Sequence, residues 1–346
     1  MTLDLRPGDS VRVRSASEIF STLDAGGALD GLPFMPEMLK YCGRQLKVTR
    51  RADTTCAGAG VVRRMRDTVH LESIRCDGSA HDGCQAACLL FWKEAWLQRV
   101  EGSNGLVAPG GLGEVENEYV AETLGPGTRA ARDGHGGATL YRCQATEIPK
   151  ATEPLHLFQL GQYVRGLRSW KLGKFLGRIP ATLFNAWQGF SERRVPPRFR
   201  IARAKRYPFV FGTAEKGNTP SANIGLRPGD YVRIKSKEEI AATLDETQRN
   251  RGLFFDGEMA TYCGRTARVQ ARVNRLIEES TGEMIEIKSD CWILEGVVCS
   301  ANYYRFCTRA IYSYWREVWL EKIDSPADNR VTAPCVAARW SRAPVS

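Results

Sequence analysis

Apolar and polar residues alternate over short stretches in two widely separated parts of this chain. The sequence Val-Arg-Val at 11–13 and the sequence Val-Arg-Ile at 232–234 each put two apolar side chains on one side of an extended backbone. Such alternation predicts a strand with one buried face. A Pro-Gly-Asp turn precedes both stretches, so each region is expected to open with a turn and a strand.

Matching elements follow in both regions. Ser15 with Glu18, and Ser236 with Glu239, have the spacing of a capping box and predict short helices ending near residues 23 and 244. Further short helices are predicted at 36–41 and 257–262, and further strands at 45–49, 69–76, 268–272 and 292–299. The last element of each region, 89–100 or 312–323, carries two tryptophans four residues apart and fits either a helix or a strand.

The two regions are copies of one sequence. Residues 5–9 read Leu-Arg-Pro-Gly-Asp and return unchanged at 226–230, and the sequence Tyr-Cys-Gly-Arg at 41–44 returns at 262–265. A repeat of roughly a hundred residues is a domain duplication, because solenoid repeats run to about 20 to 50 residues. The expected fold class is α+β, with two homologous small domains that have barrel-like sheets and short helices. The opening turn and short strands resemble small SH3-like or KOW-like β-barrels.

The duplication divides the chain into five segments. They are a first repeat domain with a cysteine/histidine cluster (1–100), a glycine-rich loop or linker (101–150), a basic, aromatic-rich and partly helical middle segment (151–222), a second repeat domain (223–324) and a C-terminal tail (325–346).

Composition limits the class of protein. The 346 residues are 43% hydrophobic and 25% charged, which is ordinary for a globular protein with a real core. No run of about 18 apolar residues predicts a transmembrane helix. The first repeat begins within the first nine residues and leaves no room for a signal peptide, so a cytoplasmic location is expected.

The positive charge is concentrated in the middle segment. Residues 151–210 hold 12 basic and 2 acidic side chains, and this surplus equals the net charge of +10 for the whole chain. The second half of this stretch carries the basic residues Arg193, Arg194, Arg198, Arg200, Arg203, Lys205 and Arg206. Such a field attracts an acidic protein, an anionic membrane surface or a nucleic acid.

Aromatic and aliphatic residues are interleaved with these charges. This pattern fits an interfacial membrane element, a stacking surface for single-stranded nucleic acid, or helices whose apolar side packs on the repeats. Gly166, Gly173, Gly177 and Pro180 predict that no long continuous helix forms here.

Cysteines provide the strongest chemical signal. The chain has 11 of them, and Cys76, His81, Cys84 and Cys88 follow one another within thirteen residues, with Cys56 upstream. Soft and borderline ligands at this spacing suit zinc, and four thiolates would suit an iron–sulfur cluster. The alternatives are inert buried thiols with no cofactor at all, and redox-active or disulfide-forming pairs. His81 could also act as the base for a thiolate nucleophile.

The second copy keeps only part of this cluster. Cys299 and Cys307 match Cys76 and Cys84, whereas Tyr304 and Ile311 stand at the positions of His81 and Cys88. Either the second copy has lost a metal that the first still binds, or the shared cysteines are structural.

Several stretches resemble a family of uncharacterised bacterial tandem-repeat proteins that contain cysteine. The resemblance is carried by residues 32–43, 91–97, 141–147, 293–299 and 305–312. It implies an accessory role in a bacterial biosynthetic pathway and no specific activity. It also implies a histidine at the position of Tyr304, so that this chain lacks a potential ligand in its second repeat.

Three functions are compatible with the sequence. The first is an accessory protein with a structural metal in the first repeat and a basic segment that docks an acidic partner or surface. The second is a metal- or thiol-dependent biosynthetic enzyme using Cys76, His81, Cys84 and Cys88. The third is a nucleic-acid-binding protein.

Overall fold

A computed structural model describes residues 3–57, 61–72, 74–100, 120–129, 139–155, 172–303 and 307–324. In the first half, the strands are β1 (Ser10–Val13), β2 (Ala28–Leu29), β3 (Leu32–Pro33), β4 (Gln45–Arg51), β5 (Thr55–Cys56), β6 (Val62–Arg64), β7 (Thr68–Leu71), β8 (Trp92–Lys93), β9 (Leu97–Arg99) and β10 (Glu153–Pro154). In the second half, they are β11 (Tyr231–Ile234), β12 (Arg249–Asn250), β13 (Leu253–Phe254), β14 (Thr266–Arg272), β15 (Arg275–Ile277), β16 (Met284–Glu286), β17 (Trp292–Leu294) and β18 (Leu320–Ile323).

The helices are short apart from one. The α-helices are Ala16–Phe20, Gly125–Gly127, Ile148–Ala151, Leu172–Arg194, Lys237–Ala241 and Gly257–Ala260. Tighter 3-10 turns cover Pro36–Tyr41, Glu94–Trp96, Pro197–Phe199, Ile201–Ala204 and Glu317–Trp319, and a wider π-type turn covers Val120–Leu124.

The two repeats form antiparallel sheets that share the order of four strands, and the first sheet has a fifth strand, β8, at one edge. The first has the strand order β8-β7-β4-β1-β9, and the second has the order β17-β14-β11-β18. Val11 pairs with Leu46 in the first sheet, and the equivalent Val232 pairs with Ala267 in the second. Both long strands, β4 and β14, also carry a register shift at the same place. The duplication therefore extends to the strand register.

The described strands do not close into a barrel. β8 and β9 lie at the two edges of the first sheet, and β17 and β18 lie at the edges of the second. The chain is an α+β protein, as predicted, but its sheets are open among the described residues.

Tryptophans anchor both cores. Trp96 stacks edge-on against Phe34 with ring centroids 5.3 Å apart, and Trp319 stacks in the same way against Phe255 at 5.4 Å. The residues around them form two separate apolar clusters, one in each repeat. The last element of each repeat is a strand with a 3-10 turn, so the strand alternative is confirmed and the helix alternative is wrong.

The predicted capping boxes are present. Ser15 and Ser236 each accept a hydrogen bond from the backbone N–H three residues later, while Glu18 and Glu239 reach back to the capping residues. Of the next pair, the second copy forms an α-helix at Gly257–Ala260, whereas the first forms a 3-10 helix at Pro36–Tyr41.

One long helix runs through the middle segment, contrary to the prediction from its glycines and proline. The helix Leu172–Arg194, called the middle helix below, has 23 residues and contains Pro180. An interior proline costs a helix about 3 kcal/mol. Asn185 exchanges two hydrogen bonds with the backbone of Tyr207, and Gln188 donates to the carbonyls of Ile201 and Lys205. These tertiary contacts offset the local cost.

The two repeats contact each other symmetrically. The N–H of Gln85 donates to the carbonyl of Arg275 at 3.1 Å, and the N–H of the equivalent Thr308 donates to the carbonyl of Thr54, also at 3.1 Å. In the first repeat, the loop that contains Gln85 contacts β15 of the second repeat. In the second repeat, the loop that contains Thr308 contacts the residue before β5 of the first. This exchange is the pattern of an isologous interface within one chain.

Parts of three predicted segments lie outside the described residues. They are most of the glycine-rich loop (101–119 and 130–138), the start of the middle segment (156–171) and the C-terminal tail (325–346). Tyr304 lies outside them as well.

Candidate metal centre

The loop after β7 bends tightly enough to bring two side chains together. Gly78 has a φ of +76°, and a Cβ at this position would meet the Cys84 carbonyl oxygen at 2.2 Å. The Gly78 carbonyl accepts hydrogen bonds from the N–H groups of His81 and Gly83. The loop therefore needs glycine here, and it folds Cys76 and His81 towards the same point.

Glu37 completes a three-residue cluster with this loop. It lies on the 3-10 helix Pro36–Tyr41. One ligand atom each of Glu37, Cys76 and His81 lie within 4.8 Å of one another. The distance from Cys76 Sγ to His81 Nε2 is 4.0 Å. Glu37 is 6% exposed and His81 is 2% exposed, so the cluster is buried.

Three polar atoms of the cluster, in Glu37 and His81, lack ordinary partners, whereas Cys76 Sγ accepts the N–H of Gly78 at 3.3 Å. Neither carboxylate oxygen of Glu37 receives an N–H or O–H donor from the described residues, and Nδ1 of His81 has no hydrogen-bond partner among them. Burying such a group without a compensating bond costs about 1 to 3 kcal/mol, and a charged group costs more. A bound cation would compensate these groups.

The surroundings of the Cys76 thiol favour its protonated form. Burial, reinforced by the negative charge of Glu37, raises its pKa far above the ordinary value for cysteine. Metal ligation requires the thiolate, so a metal that binds here must displace this proton.

A small cavity lies beside the cluster. It encloses about 30 Å³ and is lined by Glu37, Cys76 and His81 together with Cys84, Cys88 and Cys143. Burial raises the pKa of Cys88 to about 12 and that of Cys143 to about 11. About 10 to 15 Å³ suffices for one water molecule, so the cavity holds only solvent-sized groups.

Gln144 fixes one wall of this cavity. Its side chain accepts the N–H of Phe91 at 2.8 Å and donates to the carbonyls of Phe91 and Pro33. Gln144 is 5% exposed. These bonds tie the cavity wall to strand β3 and to Phe91, the residue before β8.

The structure brings four of the five predicted metal ligands to the same cavity and places the fifth, Cys56, elsewhere. Cys76 and His81 are in the cluster, whereas Cys84 and Cys88 line the adjacent cavity. Cys84 Sγ accepts a hydrogen bond from the N–H of Ile277 in the second repeat. Cys56 lies on β5, where it contacts Cys307 and Arg309.

Sequence reasoning did not identify Glu37 as a ligand. The only signal was that the dipeptide Glu-Met at 37–38 recurs at 258–259, and a shared residue indicates scaffold as readily as chemistry. Its closeness to Cys76 depends on the packing of the 3-10 helix against a loop some forty residues away.

In the second repeat, the equivalent carboxylate has hydrogen-bond donors. Glu258, equivalent to Glu37, accepts hydrogen bonds from Ser300 Oγ at 2.8 Å and from the N–H of Tyr303 at 2.6 Å. Cys299 stands where Cys76 stands, and burial, with the charge of Glu258, raises its pKa. The described residues of this copy offer no third ligand beside Glu258 and Cys299.

The predicted basic residues lie at and after the end of the middle helix. Five of the seven have exposed side chains, namely Arg193, Arg194, Arg198, Arg203 and Arg206. The other two have structural contacts. Arg200 donates to the Val195 carbonyl, and Lys205 donates to the carbonyls of Val210 and Glu246.

The middle helix has its polar face inwards. Thr182, Asn185, Gln188 and Ser191 are buried at a spacing of three residues. Leu176, Leu183, Trp187 and Phe190, on the other side, are between 41 and 59% exposed. Within the described ranges, no helix combines the length and the apolar character needed to cross a membrane.

Comparisons of the whole chain with known proteins identify no relative. No protein-family model, no curated protein and no solved structure matches it.

Proposed function

We propose that the first repeat is a zinc-binding unit in which Glu37, Cys76 and His81 hold the ion. The observation that carries this proposal is a buried carboxylate with no N–H or O–H donor among the described residues, placed within 4.8 Å of a thiol and an imidazole. Carboxylate oxygen, thiolate sulfur and imidazole nitrogen are the three ligand types that zinc takes in proteins.

The donor set favours zinc over an iron–sulfur cluster. Iron–sulfur clusters are held mainly by cysteine thiolates, commonly four of them. The cluster provides one thiol, and Cys84 and Cys88 lie further round the cavity wall. Zinc bound by three protein ligands takes a fourth from water or from a neighbouring thiol.

The size of the cavity favours a structural role for the metal. A ligand pocket for a drug-sized molecule has about 300 to 1,000 Å³, which is about tenfold more than the 30 Å³ beside the cluster. We therefore propose an accessory protein in which the metal joins the 3-10 helix to the loop after β7. We also propose that the two repeats are homologous domains, because their strand registers coincide. Finally, we propose that the protein works in a reducing compartment such as the cytoplasm, where the described cysteines are kept mainly as free thiols.

Metal content and stability test this function. Purified protein is expected to contain roughly one zinc per chain, and the variants Cys76→Ser, His81→Ala and Glu37→Gln should each lose most of it. Zinc at a hundredfold excess over its dissociation constant should stabilise the folded wild type by about 2.7 kcal/mol in urea unfolding. Cobalt in place of zinc should give a visible thiolate band that Cys76→Ser abolishes.

The second repeat provides the matched control. Cys299→Ser and Glu258→Gln alter the equivalent pair and should leave zinc content unchanged. Zinc that persists in all three first-repeat variants, or that is lost only from Cys84→Ser and Cys88→Ser, would show that these three residues are not the ligands. Iron with a visible chromophore in the wild type would replace the zinc proposal.

A second function is favoured by the middle helix. We propose that its exposed apolar face, with the basic residues after it, docks the protein on an anionic membrane surface. Phe199 and Ile201, in the 3-10 turns after the helix, are further exposed apolar side chains, at 65% and 55% exposure. Apolar side chains beside a cluster of arginines are the composition of interfacial helices, whereas a purely acidic partner needs only the charge.

Vesicle sedimentation tests the docking. The protein is expected to bind vesicles rich in phosphatidylserine and not to bind vesicles made only of phosphatidylcholine. Trp187→Ser with Phe190→Ser, and separately Arg193→Glu with Arg194→Glu, should each weaken binding at least tenfold. Arg227→Glu changes an exposed arginine of the second repeat and serves as the control. Binding to single-stranded nucleic acid or to an acidic peptide in place of vesicles would contradict a membrane partner.

A further inference from the structure

The symmetric contact between the repeats differs in chemistry at its two ends. At one end, Cys84 of the first repeat meets the backbone N–H of Ile277. At the equivalent end, the N–H of Thr308 bonds the Thr54 carbonyl, and this brings the neighbouring Cys307 against Cys56, which occupies the position of Ile277. One end of the interface therefore pairs two thiols where the other pairs a thiol with an apolar residue.

A fixed positive charge lies beside this thiol pair. Nη1 of Arg309 is 4.0 Å from Cys56 Sγ and 2.9 Å from the Cys56 carbonyl oxygen. Glu279 holds the guanidinium with two hydrogen bonds of 2.6 and 2.8 Å, and Arg309 is 3% exposed. The first repeat has Ala86 at the position of Arg309, so the charge exists at one end only.

This environment favours the thiolate of Cys56. The hydrogen bond from Cys307, together with the charge of Arg309, outweighs burial and the opposing charge of Glu279 and lowers the pKa of Cys56 to about 7. The proton stays on Cys307, whose pKa is raised by the same hydrogen bond and by burial. Thiolates attack disulfides fastest when the pKa of the thiol is near the ambient pH.

We propose that Cys56 and Cys307 form a thiol–disulfide exchange site that takes low-molecular-weight disulfides. Cys56 is half-buried and is the attacking thiol, whereas Cys307 is buried and is the resolving thiol. The proposal is independent of the zinc site, because Cys56 is not among the three residues assigned to zinc.

The exchange proceeds in two balanced steps. The Cys56 thiolate attacks one sulfur of the small disulfide, whose sulfur–sulfur bond breaks and releases one thiolate. Cys307 gives up its proton to that leaving thiolate and attacks the Cys56 sulfur of the mixed disulfide, releasing the second thiolate, which takes a proton from solvent. The protein pair is oxidised by two electrons, and the small disulfide is reduced to two thiols.

The product would join the two repeats covalently. Cys56 belongs to β5 of the first repeat, and Cys307 belongs to the contact loop of the second. A disulfide between them closes a very long loop of chain, and such a link stabilises mainly by restricting the unfolded state. The redox state of the small-molecule disulfide pool would then control how firmly the repeats are held together.

Oxidation with glutathione disulfide tests this site. The full-length protein, incubated with the oxidised and reduced glutathione couple, should yield a peptide pair linked through residues 56 and 307 in mass spectrometry, with a higher urea midpoint. Cys307→Ser should stop at a stable glutathione adduct on Cys56. Cys56→Ser should form neither product, and Cys291→Ser, which removes a buried thiol elsewhere, should react like the wild type.

Alkylation provides a second readout that does not need the disulfide. At pH 7, Cys56 should react with iodoacetamide about tenfold faster in the wild type than in Arg309→Met, since loss of the charge returns the thiol towards its usual pKa. Equal alkylation rates, or cross-linking of other cysteines in preference to this pair, would overturn the proposal. Protection of Cys56 by zinc, with zinc lost from Cys56→Ser, would make it a metal ligand and would also overturn it.

Discussion

The first and second repeats place the same glutamate and cysteine alike but surround the glutamate differently. Glu37 and Cys76 in one copy correspond to Glu258 and Cys299 in the other, and the surrounding strands pair in the same register. Glu258 is bonded by Ser300 and by the backbone of Tyr303, whereas Glu37 has no such donor among the described residues and faces His81. Comparison of the two repeats thus distinguishes residues that the shared fold requires from residues that only the site of the first repeat requires.

A single position accounts for much of this difference. Asp77 of the first repeat turns outwards, where its carboxylate bonds Lys40 Nζ at 2.5 Å and the Ser79 hydroxyl at 2.6 Å. The equivalent Ser300 turns inwards and donates its hydroxyl to Glu258. Since an aspartate cannot donate when ionised, the first repeat cannot satisfy its buried glutamate in this way.

The largest expected contrast concerns another shared carboxylate. Glu94 accepts hydrogen bonds from three backbone N–H groups, those of residues 3, 4 and 5, and from Arg51 Nη1. The equivalent Glu317 accepts the N–H of Ile224 and the indole N–H of Trp292. We expect Glu94→Gln to lower the free energy of unfolding by at most about 3 to 5 kcal/mol, because it removes one of the two buried carboxylates that pair with the Arg51 guanidinium. Glu317→Gln should cost about 1 to 3 kcal/mol.

Urea unfolding of the two variants measures this difference. Arg51 also pairs with Asp53 at 2.9 Å, so the coupling between Arg51 and Glu94 is measured by a cycle of Glu94→Gln, Arg51→Met and the double variant. If the two substitutions lowered the free energy of unfolding equally, the ion pair between Glu94 and the buried Arg51 would make no additional contribution to stability.

The next contrast depends on pH. His70 is fully buried, and its Nδ1 donates to the Leu90 carbonyl at 2.9 Å. Burial, aided by the charges of Arg50, Arg309 and Arg75, lowers the pKa of His70 to about 3. Between about pH 6.5 and 3, His70 is therefore protonated in the unfolded chain but stays neutral in the folded chain. The stabilisation that depends on neutral His70 is complete above pH 6.5 and is lost as the pH falls towards 3.

The second repeat indicates the substitution that tests this. Ile293 occupies the position equivalent to His70. His70→Ile should remove about 1.4 kcal/mol per pH unit from the slope of stability against pH between 6 and 4. Chemical denaturation at several pH values measures the slope, and a variant with the wild-type slope would show that another group titrates in this range.

The sequence predicted the parts of the fold that depend on local order. The capping boxes at Ser15 and Ser236 and the alternation in β1 and β11 follow from neighbouring residues, and all of them form. The middle helix was wrongly predicted as broken, because hydrogen bonds from Asn185 and Gln188 to distant backbone outweigh the local effect of Pro180.

The candidate site followed from the sequence only in part. Cys76 and His81 are five residues apart, so their spacing alone suggested that they bind the same metal ion. Glu37 and the contact between Cys56 and Cys307 join residues far apart in the chain, and only the packing of the two repeats brings them together. Long-range contacts of this kind have no signature in spacing.

The smallest expected effect concerns the feature that the two copies share most closely. Ser15 Oγ accepts the N–H of Glu18 at 3.3 Å, and Ser236 Oγ accepts the N–H of Glu239 at 3.2 Å. Removing a serine cap costs about 1 kcal/mol, so Ser15→Ala and Ser236→Ala should each lose about this amount, and their losses should agree. Each change is measured by urea unfolding. A clear difference between the two would mean that the repeats have diverged at this cap as well as in their sites, whereas agreement would show that the capped helix is equivalent in both repeats.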